Sequence, residues 1–241
     1  QFVIIGEGEQ GFINLLSYLK TKNPDFLKIP SLLYRNKPLT IPKTLIPPLD
    51  LDAIPMPQRD LLNPRDFKFY GKKGVSLLFS RGCPHGCSFC VSSKIFGKNY
   101  RNRNSYLVIQ EIEYCVKNYQ AQVFNFEDDN FFSNPFKTQA FLEQLLLWKQ
   151  KNNLSLDFTA MNGLSIENMN EEHISLLKKV GFQELNFSLA VFKKEDQKQL
   201  ARPFDTPQFE AIVKKAVQEK INVRAYFILG LPHQTYQDIM Q

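Results

Sequence analysis

The chain is 241 residues long, 43% hydrophobic and 22% charged, with 21 phenylalanines and a net charge of +6. That leaves room for one large domain or two small ones around an aromatic core. No run of about 18 apolar residues and no basic-then-apolar start argue for a membrane span or a secretory signal. Four cysteines, three of them in one short stretch, do not make a disulfide framework and suit metal binding in a reducing, cytoplasmic setting.

In chain order, Phe2-Val-Ile-Ile is a short apolar run before a glycine, which predicts a buried parallel strand. A helix over 11–20 follows, with Phe12, Leu15, Leu16 and Leu19 on one face. Residues 24–64 carry nine of the fourteen prolines. Proline removes amide donors and blocks helix interiors, so this stretch predicts an extended connector anchored by Leu49, Leu51, Ile54 and Met56. A strand–helix alternation starts near residue 75. Strands are predicted at 75–80, 122–127, 154–160, 184–189 and 222–230. Helices are predicted at 105–118, from Asn134-Pro135 to about 151, from Asn170 to before Gly181, and from Thr206-Pro207 to about 220. Asn134 and Asn170 are placed as N-caps, Pro135 as the first helical residue and Gly181 as the C-terminal stop. Five strands separated by helices require parallel pairing, and both barrels and open sheets place chemistry at the carboxyl ends of such strands. Both chain ends read as cut: strand residues follow Gln1 at once, and the last residues stop inside a helix pattern. The expectation is a fragment of a longer protein.

The segment "SRGCPHGCSFC" sets Cys83, Cys87 and Cys90 in a C-x3-C-x2-C spacing. Thiolates are soft ligands for zinc or iron–sulfur clusters. A closed zinc site needs a fourth ligand. Cys115 falls on the apolar face of its helix with Val108, Ile112, Val116 and Tyr119, which makes it a core residue. His85 lies between two of the cysteines, too close in the chain to reach a fourth vertex. Three cysteines instead suit a [4Fe–4S] cluster with one iron left open. A structural zinc or iron–sulfur module without catalysis stays as the alternative.

The same segment resembles the signature of the radical S-adenosylmethionine (SAM) superfamily, with Phe89 at the aromatic position before the last cysteine. The resemblance implies that Cys83, Cys87 and Cys90 hold the cluster and that SAM binds the open iron. It also implies reductive cleavage of SAM to a 5′-deoxyadenosyl radical, and Phe89 near the adenine. "NFEDDNFF" resembles the second-strand end that meets the amino group of SAM, which nominates Glu127, Asp128 and Asp129; read without the family, it is a solvated turn. "FSLAVFKKEDQKQLARPFDT" resembles the fourth-strand region, with Arg202-Pro203 matching, Ser188 at the glycine position and Ala190 where relatives carry glutamate. "YFILGLPHQTYQD" resembles the fifth-strand turn, with the backbone of Gly230 near the adenine, though His233 and Gln234 replace the usual Gly-Glu.

"GEGEQG" at 6–11 is formally G-x-G-x-x-G, but no second strand with an acidic residue follows, and Glu7 and Glu9 would repel a pyrophosphate. Together with "LDLDAIPMPQRDLL" it resembles the close of the cobalamin-binding domain, and the connector, in the cobalamin-binding subfamily. The resemblance implies an α/β chain: 1–23 a remnant of a Rossmann-like cobalamin domain, 24–74 a connector, and 75–241 a partial parallel (β/α) barrel incomplete after the fifth strand. It implies a small-molecule substrate, methylation or cyclisation as the reaction, cobalamin in the full-length protein, and an electron donor such as flavodoxin or ferredoxin. An RNA-modifying methylthiotransferase is the rival enzyme reading. The basic residues cluster only at Lys94, Lys98, Arg101 and Arg103, without interleaved stacking rings, which disfavours nucleic acid.

Overall fold

The structure, a computed structural model, describes residues 2–22, 25–35, 46–61 and 67–239. β1 (Phe2–Ile4) and α1 (Gly8–Leu19) open the chain. β1 pairs antiparallel with β2 (Leu32–Tyr34) rather than lying in a parallel sheet, and Phe2 and Val3 are exposed instead of buried. The apolar run could not name its partner. Here it is a segment thirty residues on, inside the stretch expected to be a plain connector, because Ile29 and Leu32 close a small core against Leu15. Farther along, Leu51 is buried and Leu49 and Ile54 are half-buried, while Met56 is exposed and anchors nothing. Residue 23 and the connector residues 24, 36–45 and 62–66 lie outside the described residues.

β3 (Lys68–Phe69) and β4 (Lys72–Leu77) form a hairpin. Its turn, Tyr70-Gly71, has φ of 53° and 75°, the left-handed pair that two-residue hairpins need. A small neck follows: β5 (Ser80–Arg81) pairs antiparallel with β6 (Arg101–Asn102), and the cysteine loop with the short α2 (Ser92–Ile95) projects between them. Then come α3 (Ser105–Tyr119), β7 (Val123–Phe126), α4 (Pro135–Lys151), β8 (Asp157–Thr159), α5 (Glu171–Val180) and β9 (Glu184–Ala190). The last elements are α6 (Lys194–Gln199), α7 (Thr206–Gln218), β10 (Asn222–Phe227) and α8 (Tyr236–Ile239). α6 is a turn of helix the sequence patterning did not separate from its loop.

β4, β7 and β8 pair in parallel, as do β9 and β10. Parallel bridges Phe158–Phe182 and Leu164–Phe187 join the two sets. The five predicted strands thus form one curled, partial (β/α) barrel. Side chains alternate across it. Leu77, Phe124, Phe126, Phe158, Leu185 and Phe187 face the helices and pack with Ile112, Phe141, Leu145, Leu177 and Ile212 in one core. The intervening residues Ser76, Asn125 and Thr159, in register on three strands, give the inner face a polar row.

The helix ends follow their chemistry. Asn134 accepts from the Lys137 N–H, with Pro135 as first helical residue. Asn170 and His173 form a reciprocal cap. Asp205, one residue before the expected opening, caps α7. Gly181 has φ +120°, and a Cβ there would sit 2.4 Å from the Leu156 carbonyl oxygen, so no other residue fits. Among the described residues no helix is long and apolar enough to cross a membrane.

Candidate metal centre

The end of β7 builds the cysteine loop residue by residue. The Glu127 N–H donates to the Leu77 carbonyl at 2.8 Å, continuing the ladder with β4. Asp128 accepts from the Phe79 N–H at 3.0 Å and from the Ser80 hydroxyl. Asp129 accepts from the Gly82 N–H at 3.1 Å. Asn130 Nδ2 points at Cys83 Sγ, 3.9 Å away. Four consecutive residues after a strand therefore track the chain from 77 to 83. A parallel neighbour allows this, because both strands leave the sheet on the same side.

The neck is clamped from the amino-terminal unit. Arg81 pairs with Glu7 at 3.1 Å and Glu9 at 2.8 Å, and Arg101 pairs with Glu7 and donates to the Leu49 carbonyl at 2.7 Å. Burial raises the Glu7 pKa, but the Arg101 hydrogen bond, the Leu49 N–H and both guanidinium charges outweigh it, and the carboxyl sits below its ordinary value. The "GEGE" glutamates thus hold arginines, as their charge demanded. Arg103 likewise pairs with the buried Glu111 at 2.7 Å, so Arg101 and Arg103 of the basic cluster are engaged within the chain.

The loop encloses a pocket of about 350 Å³ lined by Cys83, Cys87, Phe89, Cys90, Ser92, Asp129, Asn130, Asn162, Gly163, Leu164, Ser165, Ser188 and Arg202. All three thiols are free and half-buried. Burial pushes the Cys83 and Cys87 thiols up, and the Arg202 charge opposes it at both. Arg202 Nε and Nη2 donate to the Ser188 carbonyl at 3.3 and 3.1 Å. The His85 ring is engaged by other groups, its Nε2 3.0 Å from Glu167 Oε1 and 3.5 Å from the Ser165 hydroxyl. Cys115 is fully buried in the core.

Of the ten residues nominated from sequence, seven meet at this pocket: Cys83, Cys87, Phe89, Cys90, Asp129, Ser188 and Arg202. Three do not. Asp128 is 1% exposed and turned back onto the loop root. Glu127 bonds Ser76, Asn125 and Asn162 and borders a separate cavity facing the connector. Gly230 is exposed, with φ +78°, and donates to Gln234 Oε1 at 2.9 Å. Asn130 and Asn162, which the strand pattern places just after strand ends without naming a role for them, also line the pocket; Ser165 was missed, and no motif marks it.

The donor set fits a thiolate-bound cluster. Three thiols from one loop share one pocket, with a guanidinium beside them to offset anionic charge. Asn130 Oδ1 is buried at the pocket without a partner, and a bound hydrogen-bond donor such as an ammonium group would satisfy it. Among the described residues no three His, Cys, Asp or Glu side chains converge on a single metal ion.

Residues 77–241 match the family model of the radical SAM superfamily. The chain belongs to that superfamily. The chain is 30% identical over 243 residues to an uncharacterised methyltransferase of Pyrococcus horikoshii, covering 98% of this chain and 50% of that protein. It is 30% identical over 149 residues to the anaerobic magnesium-protoporphyrin IX monomethyl ester cyclase of a Synechocystis strain, covering 60% and 29%. It therefore spans half or less of these relatives. The fold matches that of the radical SAM methyltransferase TsrM of Kitasatospora setae, solved with cobalamin and a [4Fe–4S] cluster bound, at a TM-score of 0.79 and 16% identity, over 99% of this chain and 49% of that one. In this radical SAM chain the family signature is thus the loop that β5 and β6 close at its neck.

Proposed function

We propose that this chain is the cluster- and SAM-binding part of a radical SAM enzyme whose full length binds cobalamin and methylates or cyclises a small organic molecule. Cys83, Cys87 and Cys90 would hold a [4Fe–4S] cluster, and Phe89, Asp129, Ser188 and Arg202 would line the place of SAM. A cluster bound there would supply the one electron that cleaves SAM reductively to methionine and a 5′-deoxyadenosyl radical, which would take a hydrogen atom from substrate. The chain's own share is positioning. Arg202 suits a carboxylate, and Asp129 suits an ammonium group. Asp128 holds the loop root, and Glu127 with Asn162 shapes the inner face of the barrel. Gly230 leaves the fifth-strand turn free of a side chain.

In this reading residues 1–23 close a cobalamin-binding domain, 24–74 join it to the barrel and 75–241 form the barrel. The relatives named as a methyltransferase and as a tetrapyrrole cyclase support that pair of reactions, and an external electron donor is required. The observation that carries the reading is the meeting of the three thiols with Asp129, Ser188 and Arg202 at one pocket.

Anaerobic reconstitution of the full-length protein tests it. The expected product is a brown protein with about four irons per chain, which cleaves SAM to 5′-deoxyadenosine under reduction. Cys83→Ala should lose both. A colourless protein with one bound zinc sinks the reading, and so does a loaded cluster that yields no 5′-deoxyadenosine.

A further inference from the structure

No sequence motif marks Glu167, yet it joins the two segments that face each other across the cysteine pocket. It sits in a single 3-10 turn, Ile166–Asn168, between β8 and α5. That turn is held from both sides. Asn168 Nδ2 donates to the carbonyls of Phe132 at 3.1 Å and Ser133 at 3.3 Å. Gln208 Nε2 donates to those of Ile166 at 3.1 Å and Met169 at 2.9 Å.

From this platform one oxygen, Glu167 Oε1, lies 3.0 Å from His85 Nε2 and 3.3 Å from Arg202 Nη1. His85 stands between Cys83 and Cys87, and Arg202 lines the pocket with them. The Ser88 N–H donates to the Leu200 carbonyl at 3.0 Å, a second tie between the same two segments. An exposed ion pair on mobile side chains contributes little. This one differs: the Arg202 side chain is 12% exposed and the His85 side chain 24%, and the carboxylate is fixed by a braced turn.

We propose that Glu167 is the positioning residue of the cysteine loop. Its carboxylate fixes the loop through His85 and aims Arg202 along the thiols. It thereby sets both the loop's rigidity and the charge around whatever the thiols hold. The second consequence rests on the cluster reading above; the first does not.

The test uses the full-length protein and two variants. Hydrogen exchange is measured on the cluster-free form, so it needs no loaded enzyme. In Glu167→Ala, exchange of amides 85–88 should rise on the order of tenfold, the equivalent of one lost charge-assisted hydrogen bond. Iron retention against a chelator should fall on the order of tenfold. Glu167→Gln keeps an acceptor oxygen but loses the charge. It should load normally while its cluster reduction potential moves upward, because less negative charge opposes the added electron. A purely structural role would leave that potential where it was. Unchanged exchange in Glu167→Ala overturns the proposal, and so does an unshifted potential in Glu167→Gln. If Glu167→Ala does not fold, the Gln variant decides alone. A wild-type protein that takes up no cluster sinks the proposed function but leaves the exchange measurement to judge Glu167.

Discussion

The N–H of Gly82 donates to Asp129 Oδ2 at 3.1 Å, one residue ahead of the first cysteine of the loop. Gly82 reaches that position with φ +89°, and a Cβ there would come within 2.6 Å of the Asn99 carbonyl oxygen. Backbone, not a yielding side chain, blocks the space. Gly82→Ala should therefore move Cys83 relative to Cys87 and Cys90 and cost about 1–3 kcal/mol of stability. Iron stoichiometry after reconstitution and a urea unfolding curve check it. Full loading together with unchanged stability would refute the strain argument.

Asp128 makes stability depend on pH in an unusual direction. Burial pushes its carboxyl up to about 7 from the ordinary 3.8, against hydrogen bonds from Ser80 and Phe79, with Asp129 adding to the rise. A folded pKa above the unfolded one means that the folded state holds the proton more tightly. The contribution is complete below pH 3.8 and is lost as pH rises through about 7. Its upper bound is roughly 4 kcal/mol. Asp128→Asn keeps one acceptor for the Phe79 N–H and cannot ionise. Its unfolding free energy, compared with wild type from pH 4 to 8, should lack this decline. Parallel curves for the two proteins would contradict the assignment.

Glu7 pairs with two arginines at once, sharing Arg81 with Glu9. Its side chain is 5% exposed, and those of Arg81 and Arg101 are 12% and 20%. Removing one partner of a buried pair costs more than the pair contributes, because the remaining charge stays desolvated. Glu7→Ala should destabilise the protein by about 3 kcal/mol and release the amino-terminal unit to limited proteolysis near residues 20–22. Because the Glu7 pKa is lowered in the fold, its contribution is present above pH 4.5 and fades as pH falls through the lower folded value. The unfolding midpoint of Glu7→Ala should thus differ from wild type at pH 7 and converge with it in acid. A constant difference across that range would remove the charge argument.

The five-strand rhythm was legible because two local signals agreed at each element. Phe124 and Phe126 alternate with Asn125, and caps such as Asn134 and Asn170 mark the helix starts where propensity changes. The cysteine loop was legible because three thiols in eight positions have few structural uses. What stayed hidden depends on partners distant in sequence. β1 looks like a buried parallel strand, and its pairing with β2 rests on Ile29 and Leu32 beyond a proline-rich start. Asp128 and Asp129 are adjacent carboxylates, and only the geometry of the strand end sends one inward and the other to the pocket. Glu167 is a single acidic residue 82 positions from His85, with no spacing to betray it.

Cys115 separates a cysteine's packing role from its ligand role. It is fully buried among Val108, Ile112 and Phe141, and burial pushes its thiol up to about 11, with Arg59 and Glu111 acting in opposite senses. A thiol held in that state is a small hydrophobe. Cys115→Ala should lower stability by about 1–2 kcal/mol, the cost of a small cavity in a packed core, and leave iron content and the visible spectrum as in wild type. Cys90→Ala should do the reverse, since Cys90 is half-buried at the pocket: little change in the stability of the cluster-free protein, and loss of the chromophore. Iron analysis beside thermal unfolding of the two variants reads both effects at once. If Cys115→Ala loses iron while keeping its fold, the cluster has a fourth protein ligand, and the pocket would have to be rebuilt around it.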